Sequence, residues 1–331
     1  MPDLSCRNQY RLLHIAGIIA IVLVATTIPT PAFGESIETV EEDRLWLIST
    51  RRITSQVCRA NLESPALSIR RLDCGGSSEA ATVQQYGDSI GQSRAVVVYI
   101  HGNRMEHHEA RSRGMAVYRN SRSCRKSRAI DWVIWSWPSA KAGFLTRDAR
   151  IKAKRTDAQG LYLAWLLRKH AERSAATTLI GYSFGGRIAT GALHAMAGGT
   201  LGGRSLPGPG VSGEPINAGL IAPAIDSHWL SGHGYHRNAS TNMHRMVLMY
   251  NRRDIILKSY WRIDKIRGRM ALGYSGPTLF APRADGSRLP VKSRECSSWI
   301  GIKHHELDYY TSGCRAGAEM ASLIDDIHLS H

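Results

Sequence analysis

Thr177-Thr178-Leu179-Ile180-Gly181-Tyr182-Ser183-Phe184-Gly185-Gly186 decides how this chain is read. Ser183 stands at the centre of a G-x-S-x-G pattern. The β-branched and apolar residues before it predict a strand. After it, Arg187 to Met196 places small and apolar residues at helical spacing. Strand, sharp turn and helix are what a serine needs if its Oγ is to stand clear of a sheet within reach of a base. The flanking glycines fit that turn, because side chains there would collide with the strand or the helix. The rival reading is a glycine-rich turn in which Ser183 merely caps the helix.

Strand-like and helix-like runs alternate on either side. Arg44–Thr50, Arg94–Ile100, Ala129–Trp137, Asn217–Ala224, Met246–Asn251 and Ser297–Ile302 predict strands. Glu106–Asn120, Asp148–Arg173 and Glu306–Leu329 predict helices. Such alternation implies crossover connections, hence an α/β fold with a mostly parallel central sheet flanked by helices. Sites in such sheets form outside the carboxyl ends of the strands. A serine hydroxyl needs a base, and the base needs a group that fixes its tautomer. Asp254 follows the strand ending at Asn251 and is the expected orienting acid, with Asp226 as the alternate. His304 and His305 follow the C-terminal strand-like run. His304 is the preferred base because it lies further from the expected helix start, and His305 is the alternate. Oxyanion donors are expected from the N–H of Phe184 and from Asn103 in His101-Gly102-Asn103-Arg104, with His101 a structural hydrogen-bonder beneath that loop.

Taken together, His101–Arg104, Gly181–Gly186, Asp254 and His304-His305 resemble the α/β-hydrolase superfamily, over roughly Arg94 to Leu329. Trp46–Arg51 resembles the early strand of a group of poorly characterised bacterial hydrolases. The resemblance implies a serine hydrolase that cleaves a carboxylic ester or related acyl bond through an acyl-enzyme, on a small-molecule or lipid-like acyl substrate. It implies no cofactor and no metal. The same fold hosts acyltransferases, and a non-catalytic basic binding module of the cell envelope is the reading from another class.

The ends and the composition bound the setting. Residues 1–34 are built like a signal peptide: Arg7 and Arg11, an apolar run from Leu12 to Ala25, then Pro29, Pro31 and small residues up to an expected cleavage after Gly34. An uncleaved anchor is the alternative. Residues 35–331 are expected to form one domain, with 35–93 an N-terminal extension and 94–331 the hydrolase core, secreted or periplasmic. The formal charge is +16. A solvated basic face with no partner is one reading of that charge; otherwise the anionic partners outside the cytoplasm are lipid headgroups, cell-wall polymers and acidic polysaccharides, and no nucleic-acid motif accompanies the charge. Cys58 with Cys74 and Cys296 with Cys314 are the sequence-local pairs, leaving Cys124 free; buried reduced thiols are the alternative. His101, His107, His108 and Glu109 lie close together but lack a recognised metal-ligand spacing. Gly198 to Gly213, crowded with Gly and Pro, is expected to be a flexible surface loop.

Overall fold

The structure, a computed structural model, describes residues 42–73, 77–91, 94–126, 129–264 and 268–328. The expected signal segment and Cys74 lie outside them. The described residues form one nine-stranded sheet in the order β3-β2-β1-β5-β4-β6-β7-β8-β9. Its strands are β1 (Arg44–Ser49), β2 (Ser68–Leu72), β3 (Ser78–Ala81), β4 (Ala95–Ile100), β5 (Ile130–Ser136), β6 (Thr177–Tyr182), β7 (Ile216–Ile221), β8 (Met243–Tyr250) and β9 (Val291–Glu295). Pairing is antiparallel between β1 and β2 and between β2 and β3, and parallel from β1 through to β9. The helices are α1 (Val83–Ser89), α2 (His107–Arg122), α3 (Leu145–Ala171), α4 (Phe184–Met196), α5 (Ile255–Lys258), α6 (Trp261–Asp264), α7 (Leu272–Ser275), α8 (Ser297–Ile300), α9 (Glu306–Thr311) and α10 (Ala316–His328).

The central strands read as continuous apolar runs because both faces are covered. Every residue of β4, β5, β6 and β7 is buried. Helix α2 packs with α10, and α3 with α4, against these strands. The architecture is that of the α/β-hydrolase fold. Because β4, β6, β8 and β9 run parallel, the loops after them emerge at one edge of the sheet, and β6 lies between β4 and β7 at its centre.

Three sequence expectations need correction. Ser297–Ile302 is not a strand: Ser297–Ile300 is the short helix α8, and the last strand is β9 at Val291–Glu295. That strand is an edge, VKSRE, without a buried residue, so no alternation of apolar and polar residues betrays it. The C-terminal helix is two helices, α9 and α10, broken at Arg315, which takes a left-handed φ of 56°. The Gly- and Pro-rich loop is pinned: Leu201 and Leu206 are buried in the core, and Arg168 donates to the Pro207 and Pro209 carbonyls. Cys58, Cys124, Cys296 and Cys314 are free thiols, and the Cys314 sulfur lies 4.0 Å from the Cys296 carbonyl oxygen in the core.

Candidate active site

Ser183 occupies the turn between β6 and α4 with φ 52° and ψ −116°, a left-handed conformation that side-chain-bearing residues avoid. The turn can be this tight because Gly181 and Gly185, two positions to either side, lack Cβ atoms. A Cβ on Gly185 would collide with the carbonyl oxygen of Ile100 in β4. The turn is held from behind, where the Ser183 N–H donates to the Ile221 carbonyl and the Ser183 carbonyl accepts from Ala224 N–H, both at 3.0 Å. Ser183 does not cap the helix with its side chain.

Two further side chains converge on it. His304 Nε2 lies 2.9 Å from Ser183 Oγ. Its other nitrogen, Nδ1, lies 2.6 Å from Asp254 Oδ2. The order from hydroxyl to imidazole to carboxylate is continuous. Asp254 is fully buried and caps α5 with its remaining oxygen, Oδ1, which accepts from Ile256 N–H at 2.9 Å and Leu257 N–H at 3.0 Å. One carboxylate therefore serves both as helix cap and as partner of the imidazole. The His304 ring stacks on Tyr182 with centroids 5.2 Å apart. Asn251, at the end of β8, donates from Nδ2 to the Gly301 carbonyl at 2.8 Å, tying the His304 loop to the strand that leads to Asp254.

The alternates are not brought to the hydroxyl. His305 occupies the N-cap position of α9 without a side-chain cap hydrogen bond, and its Nδ1 lies 2.9 Å from Asp308 Oδ1. Asp226 accepts from His228 N–H at 2.9 Å and pairs with Arg269 at 3.4 Å beside a different cavity.

The loop after β4 presses on the turn from the other side. A Cβ on Gly102 would stand 2.8 Å from Tyr182 Cδ1 and 3.4 Å from Ser183 Cβ, so only glycine allows this approach. His101 underpins the loop. It is fully buried, donates from Nδ1 to the Gly102 carbonyl at 2.8 Å and accepts at Nε2 from Trp137 N–H at 3.3 Å. Burial lowers its pKa to about 3, so it is neutral and structural, as sequence reading expected. Phe184 N–H, at the first position of α4, has no intrahelical acceptor.

No protein-family model matches the sequence, and no curated relative matches it. Among solved structures, the chain is similar to an inhibited esterase B from Lactobacillus rhamnosis, at 12% identity and a TM-score of 0.40, covering 89% of this chain and 90% of that one. A Thermus thermophilus protein matches at 10% identity and a TM-score of 0.40, over 79% of this chain and 93% of its own. A thermophilic esterase from the planctomycete Thermogutta terrifontis matches at 12% identity and a TM-score of 0.30, over 70% and 80% of the two chains.

Sequence reading missed two supports of the site. The first is Asp148 in α3. Its Oδ2 accepts from Asn103 Nδ2 at 2.8 Å; its Oδ1 accepts from Ala142 N–H at 2.7 Å and from Lys152 at 2.9 Å. Asp148 and Lys152 are both fully buried. Burial alone would raise the Asp148 pKa, but the Lys152, Ala142 and Asn103 donors outweigh it and hold the carboxyl below its ordinary value. The network engages the Asn103 amide nitrogen, while Asn103 Oδ1 is buried without a hydrogen-bond partner. The only sequence signal was an Asp and a Lys at i, i+4 spacing on an expected helix.

The second is Glu306, fully buried two residues after His304. Its Oε2 accepts from Tyr99 OH at 2.9 Å and lies 3.5 Å from Arg113 NH1, while Oε1 has no hydrogen-bond partner. Burial raises its pKa to about 7 against the opposing pull of Arg113 and Tyr99. Nothing in the sequence distinguished it from a helix-start acid.

A cavity of about 620 Å³ opens over Ser183 and His304. One wall is apolar, from Ile255, Ile256, Leu257, Tyr260 and Ile263 of the α5–α6 segment. The lining also includes the polar residues Glu109, Ser112 and Arg113 of α2 and Glu306 of α9.

Proposed function

We propose that this protein is a serine hydrolase that cleaves a carboxylic ester through an acyl-enzyme. One observation carries the reading: a strained, positive-φ serine whose Oγ is 2.9 Å from an imidazole that is itself 2.6 Å from a buried carboxylate. Ser183 attacks the acyl carbonyl while His304 Nε2 takes its proton, and His304 then returns that proton to the leaving alkoxide. Asp254 keeps the proton on Nδ1, so that Nε2 is free to act as base, and stabilises the imidazolium that forms. The N–H groups of Phe184 and Asn103 receive the developing oxyanion. Water, activated by the same imidazole, then releases the acid.

A lining with both an apolar group of residues and a polar one suits an apolar acyl chain joined to a more polar alcohol. An ester is preferred to an amide because an alkoxide leaves more readily than an amine anion. The N-terminal segment's signal-peptide pattern supports a mature protein outside the cytoplasm, beginning after Gly34; N-terminal sequencing of exported protein tests this directly.

A panel of p-nitrophenyl esters of graded acyl length, with a fluorophosphonate probe, tests the activity. The expected result is turnover and labelling of the wild type, and neither in a folded Ser183→Ala variant. Equal turnover by both proteins defeats the reading.

A further inference from the structure

We propose that the face around the mouth of the Ser183 cavity docks on an anionic lipid bilayer. Its apolar part comes from three separate segments. Phe144, just before α3, is 90% exposed; Ile255 and Ile256 of α5 are 52% and 39% exposed; Trp261 of α6 is 38% exposed and Ile302, before His304, 55%. Side chains of this size are normally withdrawn from water, and a cluster of them at a site entrance marks a contact surface.

The segments meet at one rim. Ile255 N–H donates to the Ile302 carbonyl at 3.3 Å, joining α5 to the His304 loop. Arg150 Nε donates to the Arg262 carbonyl at 2.9 Å, joining the first turns of α3 to α6. Thr146, Ala149, Ile255, Ile256 and Arg262 all line the cavity itself.

The choice of occupant rests on charge. Lys141, Arg147, Arg253, Lys258, Arg262 and Lys303 are exposed on these same segments. The Arg262 guanidinium lies over the Trp261 ring, 5.4 Å from its centroid. Isoleucine, phenylalanine and tryptophan set among lysine and arginine form the pattern that settles at a bilayer interface, with apolar groups among the acyl chains and cations among anionic headgroups. A second copy of this chain would bring the same cations against each other. The acids beside this face are fewer: Glu109, at the start of α2, lines the cavity, and Asp308 lies 3.8 Å from Lys303. Docked this way, the cavity opens toward the lipid, so that a lipid-borne ester reaches Ser183 without crossing water. That last step rests on the function proposed above; the docking itself does not.

The test is co-sedimentation with vesicles of phosphatidylcholine alone and of phosphatidylcholine containing about a third phosphatidylglycerol. It uses the Ser183→Ala protein, so that vesicle binding is read without turnover. Binding to the anionic vesicles is expected to be on the order of 10²-fold tighter than to neutral ones and to weaken with salt. Phe144→Ser with Ile302→Ser is expected to weaken it by about tenfold or more. Lys141→Glu with Lys258→Glu is expected to remove most of the preference for anionic lipid. In the wild-type background, both double variants are expected to keep their turnover of a short soluble ester, which also reports that they are folded. Failure of the Ser183→Ala protein to sediment with anionic vesicles overturns the proposal. So does unchanged binding by both double variants, or a dimer in light scattering that Phe144→Ser with Ile302→Ser dissociates. Loss of the catalytic reading with vesicle binding intact leaves the docking surface standing.

Discussion

Asp254 holds two jobs on two oxygens, and two substitutions separate them. Oδ1 caps α5 by accepting from Ile256 and Leu257 N–H; Oδ2 faces His304 Nδ1 at 2.6 Å. Asparagine caps helices about as well as aspartate, so Asp254→Asn keeps Oδ1 in place at almost no cost to the fold. Its amide, however, can only donate toward His304. The imidazole must then carry its proton on Nε2, where it faces Ser183 and cannot accept the hydroxyl proton. A wrong tautomer of this kind costs about 10⁴-fold in kcat, equivalent to about 5 kcal/mol of barrier. Asp254→Ala loses the same orienting group and the cap as well. It leaves two N–H groups of α5 without their acceptor, costing about 1–2 kcal/mol and therefore lowering Tm by roughly 2–3 °C in a domain of this size. The assays are kcat on p-nitrophenyl butyrate and thermal melting of both variants. The expected pattern is equal loss of kcat, with stability lost in the alanine variant only. An asparagine variant within tenfold of wild type refutes the tautomer argument. An asparagine variant that melts as low as the alanine one refutes the cap argument.

The Asp148 network gives a second measurement. Asp148→Ala strands a fully buried Lys152, which costs about 3–5 kcal/mol, and frees the Asn103 loop, so kcat is expected to fall with it. Adding Lys152→Met is expected to restore much of the melting temperature but not kcat; recovery of both assigns the network to stability alone. Gly102→Ala places a methyl against Tyr182 and is expected to lower kcat by about 10²-fold with KM little changed, and unaltered kinetics argue against an oxyanion role for that loop. Glu306 gives a pH signature. Its folded-state value of about 7 lies above the ordinary 4.5, so the folded protein holds this proton more tightly than the unfolded chain does. The stability this lends is full below pH 4.5 and fades as pH rises toward about 7, a span worth about 3 kcal/mol. Buried neutral His101 and His170, both lowered to about 3, tilt the wild-type profile the other way, since their contribution is full above pH 6.5 and fades as pH falls. The difference between wild type and Glu306→Gln isolates the carboxyl, and melts from acid to neutral pH should show that difference changing over this window. A constant offset counts against a raised pKa.

Sequence pattern was most legible where local chemistry and global position agree. The Ser183 turn could be read because two demands fall on adjacent residues: a left-handed serine, and glycines where β4 and α4 crowd it. The buried strands were legible because burial on both faces leaves unbroken apolar runs such as Ala95–Ile100. Asp254 and the His304 loop could be placed because parallel strands deliver their C-terminal loops to one edge. That inference survived an error in the element before His304, since β9 and the misread α8 both precede the same loop. What stayed hidden was set by partners remote in sequence. Asp148 is defined by Asn103, 45 positions away, and Glu306 by Tyr99, 207 positions away. A single chain carries no trace of such pairing, because either acid could have faced water at no cost. The hidden residues are also the ones that hold the visible ones still. Asp148 commits the Asn103 side chain, and Glu306 anchors the start of the helix behind His304. The motif therefore names the side chains that converge, while the precision of their placement depends on contacts that no motif contains. Mutations at Asp148 should accordingly cost activity out of proportion to their distance from Ser183.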